Sequence, residues 1–146
     1  MIPNLLVIDT NVLLDLFVFR DQRWNGLLDA LRSGAIQGVT RTDCRQEWLY
    51  VLHYPHLPLD EQKRQAAAAE FDSLIGISDA AASAAPLPLC SDRDDQKFLE
   101  LARDAQAAVL VTKDKALLKL AKRTAKAGMF RILTPQAWLQ EQAAAR

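Results

Sequence analysis

"LLVIDTN", Leu5 to Asn11, sets four apolar residues directly before an aspartate, and "AVLVTKD", Ala108 to Asp114, repeats the design far downstream. Such short apolar runs have the length of strands buried on both faces. A carboxylate just past a strand of this kind has two readings. It can cap the helix that follows, or it can be delivered to the sheet edge where α/β proteins bind their ligands. Other acids reaching the same edge would separate the two.

Working outward, Ala35 to Val39 and Phe130 to Leu133 are further strand candidates. Between the strands lie helical patterns. Arg23 to Leu31 carries Trp24, Leu27, Leu28 and Leu31 at helical spacing, with Gly34 as a stop. Thr42 to Leu52 ends before Pro55 and Pro58, and Leu59 to Ile75 ends at Gly76. "APLPLCSDRDD", Ala85 to Asp95, leads into a helix from Asp94 to Ala107. Lys115 to Ala127 reads as one helix closed by Gly128, and Pro135 starts the last. Apolar strands alternating with helices predict a central parallel sheet covered on both faces, a three-layer α/β/α sandwich. At 146 residues, one domain over 1–146 is expected.

Formal net charge is zero, so nucleic-acid binding would need a local basic patch. Cys44 and Cys90 lack CxxC spacing, which fits free thiols in a reducing cytoplasm. No apolar run reaches membrane-spanning length and no signal-peptide pattern opens the chain, so a soluble cytoplasmic protein is expected.

Four acids converge on one edge. In a parallel sheet Asp9 and Asp114 share the carboxyl side, and neighbouring strands lie under about 5 Å apart. Asp95 stands in line with Phe98, Leu99 and Ala102, the buried face of its helix, with Asp92 as second choice and Asp94 a step off that line. Glu47 precedes Val51 by four residues and so faces inward, where an acid needs a partner such as Arg41 or Arg45, or a bound ion. Taken singly, each acid can be a cap, a helix-dipole acid or half of an ion pair. Together they must take up protons or a cation, because two carboxylates about 5 Å apart repel by roughly 3 kcal/mol at an effective dielectric near 20. All-oxygen ligands favour Mg²⁺ or Mn²⁺ over zinc. His53 and His56 flank Pro55 and read as turn residues, and no Ser/His/Asp set, GxGxxG or Walker loop is present. Metal-activated hydrolysis of a phosphodiester is the chemistry such a cluster suits.

"VIDTN", an acid on a middle helix, "DRDDQKFLELA" and "LVTKDKALL" resemble, in order and spacing, the PIN-domain nucleases. The branch most similar is the VapC-like ribonucleases, toxin components of bacterial toxin–antitoxin systems. The resemblance runs from Ile2 to about Trp138. It implies a parallel α/β/α fold, a Mg²⁺- or Mn²⁺-dependent endoribonuclease, frequent homodimers, and a protein antitoxin that blocks the site. Asp9, Glu47, Asp95 and Asp114 would form the catalytic and metal-binding cluster, with Thr10, Asn11, Thr112 and Asp92 in support. Lys113 stands where this branch commonly has a small residue.

Rival readings are a phosphoaspartate phosphatase or receiver domain, and a non-catalytic RNA-binding module on the same fold. The phosphatase wants a second aspartate where Asn11 stands, and the receiver wants paired acids at Asp9. Two further expectations concern surfaces. Lys115, Lys119, Lys122 and Lys126 recur at spacings of four, three and four, a basic stripe whose near end, with Lys113, would hold RNA phosphates. Phe17, Phe19 and Trp24 suggest either a homodimer face or ordinary core packing.

Overall fold

The computed structural model describes residues 1–145. The strand-like runs form β1 (Ile2–Ile8), β2 (Gln37–Thr40), β3 (Ile75–Ile77), β4 (Ala107–Val111) and β5 (Arg131–Leu133). They pair in the order β3-β2-β1-β4-β5, every pair parallel. From central β1 the chain builds outward through β2 and β3, then returns to add β4 and β5 on the other side. The reversal puts the switch point between β1 and β4, where an open α/β sheet leaves a crevice past its strand ends.

Helices cover both faces. They are α1 (Thr10–Phe17), α2 (Asn25–Ser33), α3 (Thr42–Val51), α4 (Glu61–Leu74), α5 (Gln96–Asp104), α6 (Lys115–Leu118), α7 (Ala121–Lys126) and α8 (Pro135–Ala144). Short 3₁₀ turns at Gln22–Trp24 and Arg93–Asp95 lead into α2 and α5. Alternation along the strands divides the core in two. Leu6, Ile8, Val109 and Val111 pack with Val12, Leu27, Trp48 and Phe71, whereas Val7 and Leu110 pack with Phe98, Leu99, Leu117 and Phe130. Successive strand residues point to opposite faces, so central β1 and β4 each feed both cores. The α/β/α sandwich is the observed architecture.

Four elements differ from expectation. α1 is buried at every position but Asn11, so it has no polar stripe to betray it. Ile75 leaves its helix to pair with Gly38 on β2, filling the space where a Cβ on Gly38 would sit 2.2 Å from Ile75 Cδ1. The helix expected to reach Ala107 stops at Asp104 and yields that alanine to β4. The single helix expected from Lys115 to Ala127 is two, because the Leu120 N–H turns back to Leu117 and buried Leu120 restarts the spiral. Phe17 and Trp24 are core residues, which leaves Phe19 as the exposed aromatic of that trio.

Candidate metal centre

Asp9 follows β1, and its backbone N–H continues the ladder to Val111 O at 2.9 Å. It occupies the N-cap position of α1 but makes no side-chain cap bond. Its carboxylate instead accepts a hydrogen bond from Thr112 Oγ1 at 2.7 Å, at the end of β4. The same Thr112 oxygen accepts from the Asp114 backbone N–H at 2.9 Å. One fully buried hydroxyl thus ties together the two strand ends that the sequence pairs. Asp114 does cap a helix, accepting from the Ala116 N–H at 2.8 Å, which leaves its other oxygen for different work.

The third acid enters from above β4. Asp92 caps the 3₁₀ turn by accepting from the Asp94 N–H at 3.0 Å, and the turn swings Asp95 inward. Asp95 is 8% exposed, makes no cap bond, and its Oδ2 is buried without a hydrogen-bond partner. Asp92, Asp95 and Asp114 can each offer one carboxylate oxygen with all three oxygens within 4.8 Å of one another. Asp94 is exposed.

Charge crowding shows in the acidities. Burial pushes the Asp9 carboxyl up to about 6; the Thr112 hydrogen bond opposes this, and the charges of Glu47 and Asp114 add to it. Asp95 is pushed to about 8, first by burial, then by its contact with Asp114 and the charge of Asp9. Acids that hold protons near neutrality are acids short of a cation. The orphaned Asp95 oxygen and an all-carboxylate donor set fit a hard divalent ion such as Mg²⁺ or Mn²⁺. Among the described residues, no histidine or cysteine joins the three-acid group.

Glu47 stands at the rim, attached rather than free. Its carboxylate accepts from Lys97 Nζ at 2.9 Å and from the Thr10 hydroxyl. Arg41 and Arg45, its expected partners, go elsewhere: Arg41 to Asp43 and Glu100, Arg45 to Asp72. Lys97 also donates to the Asp94 carbonyl, so it bridges α3 to the turn that carries Asp95. Lys113 pairs with Asp15, which also accepts from Trp24 Nε1 at 3.2 Å. Lys115 and Lys119 are exposed and, among the described residues, make no ion pair. Asn11 is exposed in the first turn of α1.

The PIN-domain family model matches residues 5–116, from β1 through the start of α6. The chain belongs to the PIN-domain family. Every acid described above lies inside the matched span, while β5 and α8 lie beyond it. No curated protein matches the chain. Membership points to a nuclease, since PIN domains typically hydrolyse nucleic acids with a divalent metal, and the acidic cluster is compatible with that. No helix among the described residues is long and apolar enough to cross a membrane.

Two residues of this PIN domain escape a reading of its sequence. Lys97 sits in the first turn of α5, where a cation opposes the helix dipole, and that misplacement is the available signal that it answers an anion. Asp15, an acid inside the apolar run of α1, is the other.

Proposed function

We propose that this PIN domain is a metal-dependent endoribonuclease that acts as the toxin of a toxin–antitoxin pair. The observation that carries the nuclease reading is the buried, unpartnered Asp95 oxygen within a three-carboxylate group at the switch point of the sheet. Asp95, Asp114 and Asp92 would hold the ion, with Asp9 as the fourth carboxylate, its orientation set by Thr112. When bound, a divalent ion supplies charge stabilisation for a phosphodiester under attack and acidifies nearby water. The chain's own residues do the rest. Thr112 and the Ala116 N–H hold Asp9 and Asp114 in place. Lys97 and Thr10 fix Glu47 at the rim, where its carboxylate can orient a water toward the scissile phosphate.

The toxin role rests on the likeness of "VIDTN", "DRDDQKFLELA" and "LVTKDKALL" to the VapC-like branch, and with it come an RNA substrate, a protein antitoxin and a homodimer. Two free, buried cysteines suit the reducing cytoplasm where such a toxin works. End-labelled RNA incubated with Mg²⁺ or Mn²⁺ tests the chemistry. Internal cleavage should appear with either metal, vanish with a chelator, and fall at least about 100-fold in Asp9→Asn and Asp95→Asn. Binding without cleavage in any metal would leave a non-catalytic RNA-binding module.

A further inference from the structure

We infer that Tyr50, Tyr54 and His56 form a stacking platform for unpaired nucleotides beside the acidic centre. The inference rests on the nuclease reading above and adds which residues of this chain would hold the substrate's bases. Tyr50 is 69% exposed and Tyr54 40%, large aromatic surfaces that the core does not use. Their rings meet edge to face with centroids 5.8 Å apart, and the exposed His56 ring follows 5.7 Å beyond Tyr54. The three rings therefore form one connected cluster, with Tyr54 touching both of the others.

Their backbone is held firmly. His53, Tyr54 and Leu57 donate backbone hydrogen bonds to Tyr50, Val51 and Tyr54 in turn. Buried Leu52 and Leu57 anchor the two ends of the turn, and Arg64 of α4 donates to the Leu52 carbonyl at 3.0 Å. Rings presented on a fixed backbone lose little freedom when a ligand arrives.

Position supplies the functional link. Tyr50 lies three residues after Glu47 on α3, so the two are surface neighbours about 5–6 Å apart at Cβ. A strand that passes the Glu47 rim thus meets an aromatic face one helical turn farther along α3. Stacking on aromatic rings is how proteins hold unpaired bases, and it tolerates any sequence because every base has a π-face. A chain with no net charge gains from a contact that does not depend on charge.

Binding is measured with the metal chelated, so that cleavage plays no part. The probe is a short single-stranded RNA carrying 2-aminopurine, whose fluorescence is quenched on stacking, with a duplex of the same sequence as its control. The wild-type chain should quench the single strand and bind the duplex at least tenfold less well. Tyr50→Ala and Tyr54→Ala should each weaken single-strand binding by about tenfold without changing its salt slope, while Tyr50→Phe and Tyr54→Phe keep affinity and quenching. Equal binding of duplex and single strand, no binding by wild type, or alanine variants that bind like wild type would each overturn the inference. So would alanine variants that turn a dimer into a monomer by light scattering, which would assign the patch to a second copy of the chain. A platform that binds while the wild-type chain cleaves no RNA in either Mg²⁺ or Mn²⁺ would fault the nuclease reading alone.

Discussion

A carboxylate oxygen buried without a donor costs about 1–3 kcal/mol even for a neutral group, and more for a charged one. Asp95 Oδ2 is such an oxygen, and the fold keeps it. The metal-free protein should register this in its pH dependence. Unfolded, Asp9 and Asp95 ionise near 3.8; folded, near about 6 and about 8. Between those values the folded state holds more protons, so the contribution of both acids to stability declines as pH rises, and above the folded values the full penalty stands. For Asp9 the penalty is on the order of 1–3 kcal/mol. Thermal melts in chelator should show this decline, Asp95→Asn should flatten it, and excess Mg²⁺ should restore what ionisation removes. A melting temperature indifferent to both pH and Mg²⁺ would contradict the metal centre. Thr112 gives a separate test. Thr112→Val keeps the volume but removes the donor to Asp9 and the acceptor for the Asp114 N–H. Mn²⁺ affinity by calorimetry should drop about 10- to 100-fold, as when a ligand loses its supporting hydrogen bond.

Elements are legible in the sequence where their hydrophobic pattern has one meaning. β4 and the Leu5–Ile8 half of β1 are continuous apolar runs, while Ile2, Pro3 and Asn4 extend β1 without such a pattern. The buried face of α5 is Phe98, Leu99 and Ala102 as its spacing implies. Asp9, Asp95 and Asp114 are readable for the same reason, because each follows or opens such an element. The rest depends on neighbours remote in sequence. Ile75 fits a helical period as well as a strand, and only its docking over Gly38 decides. The Glu47–Lys97 pair joins residues fifty positions apart, which no local pattern encodes. The split between α6 and α7 alters one surface expectation: Lys115 and Lys119 still flank the site end, while Lys122 and Lys126 belong to a second helix. Replacing Lys115 and Lys119 by alanine should lower the slope of log K against log salt on single-stranded RNA, by about 0.7 for each phosphate that is no longer neutralised. A slope that does not move would leave these lysines a solvated edge.

Across the whole molecule, Phe17 and Trp24 belong to the core; Phe17 packs edge-on against Trp48 with centroids 6.0 Å apart. The proposed homodimer would therefore use other surface, and Phe19, Ile77 and Leu89 are among the exposed apolar residues that could supply it. Light scattering at high micromolar concentration should report a dimer, and Phe19→Ser or Ile77→Ser should dissociate it. A monomer throughout that range would remove the dimer from the proposal.

The central place of β1 also governs when the site can exist. β1 waits long for its second neighbour, because the Thr112 hydroxyl that orients Asp9 is supplied 103 residues later. Pairings of such long sequence separation slow folding, and during synthesis they cannot form at all until β4 has been made. A nascent chain paused anywhere before Ala107 lacks β4, Thr112 and Asp114, and so lacks part of the proposed metal centre. Chains truncated at that point should bind no Mn²⁺, and nuclease activity should emerge only once the polypeptide through Asp114 has left the ribosome.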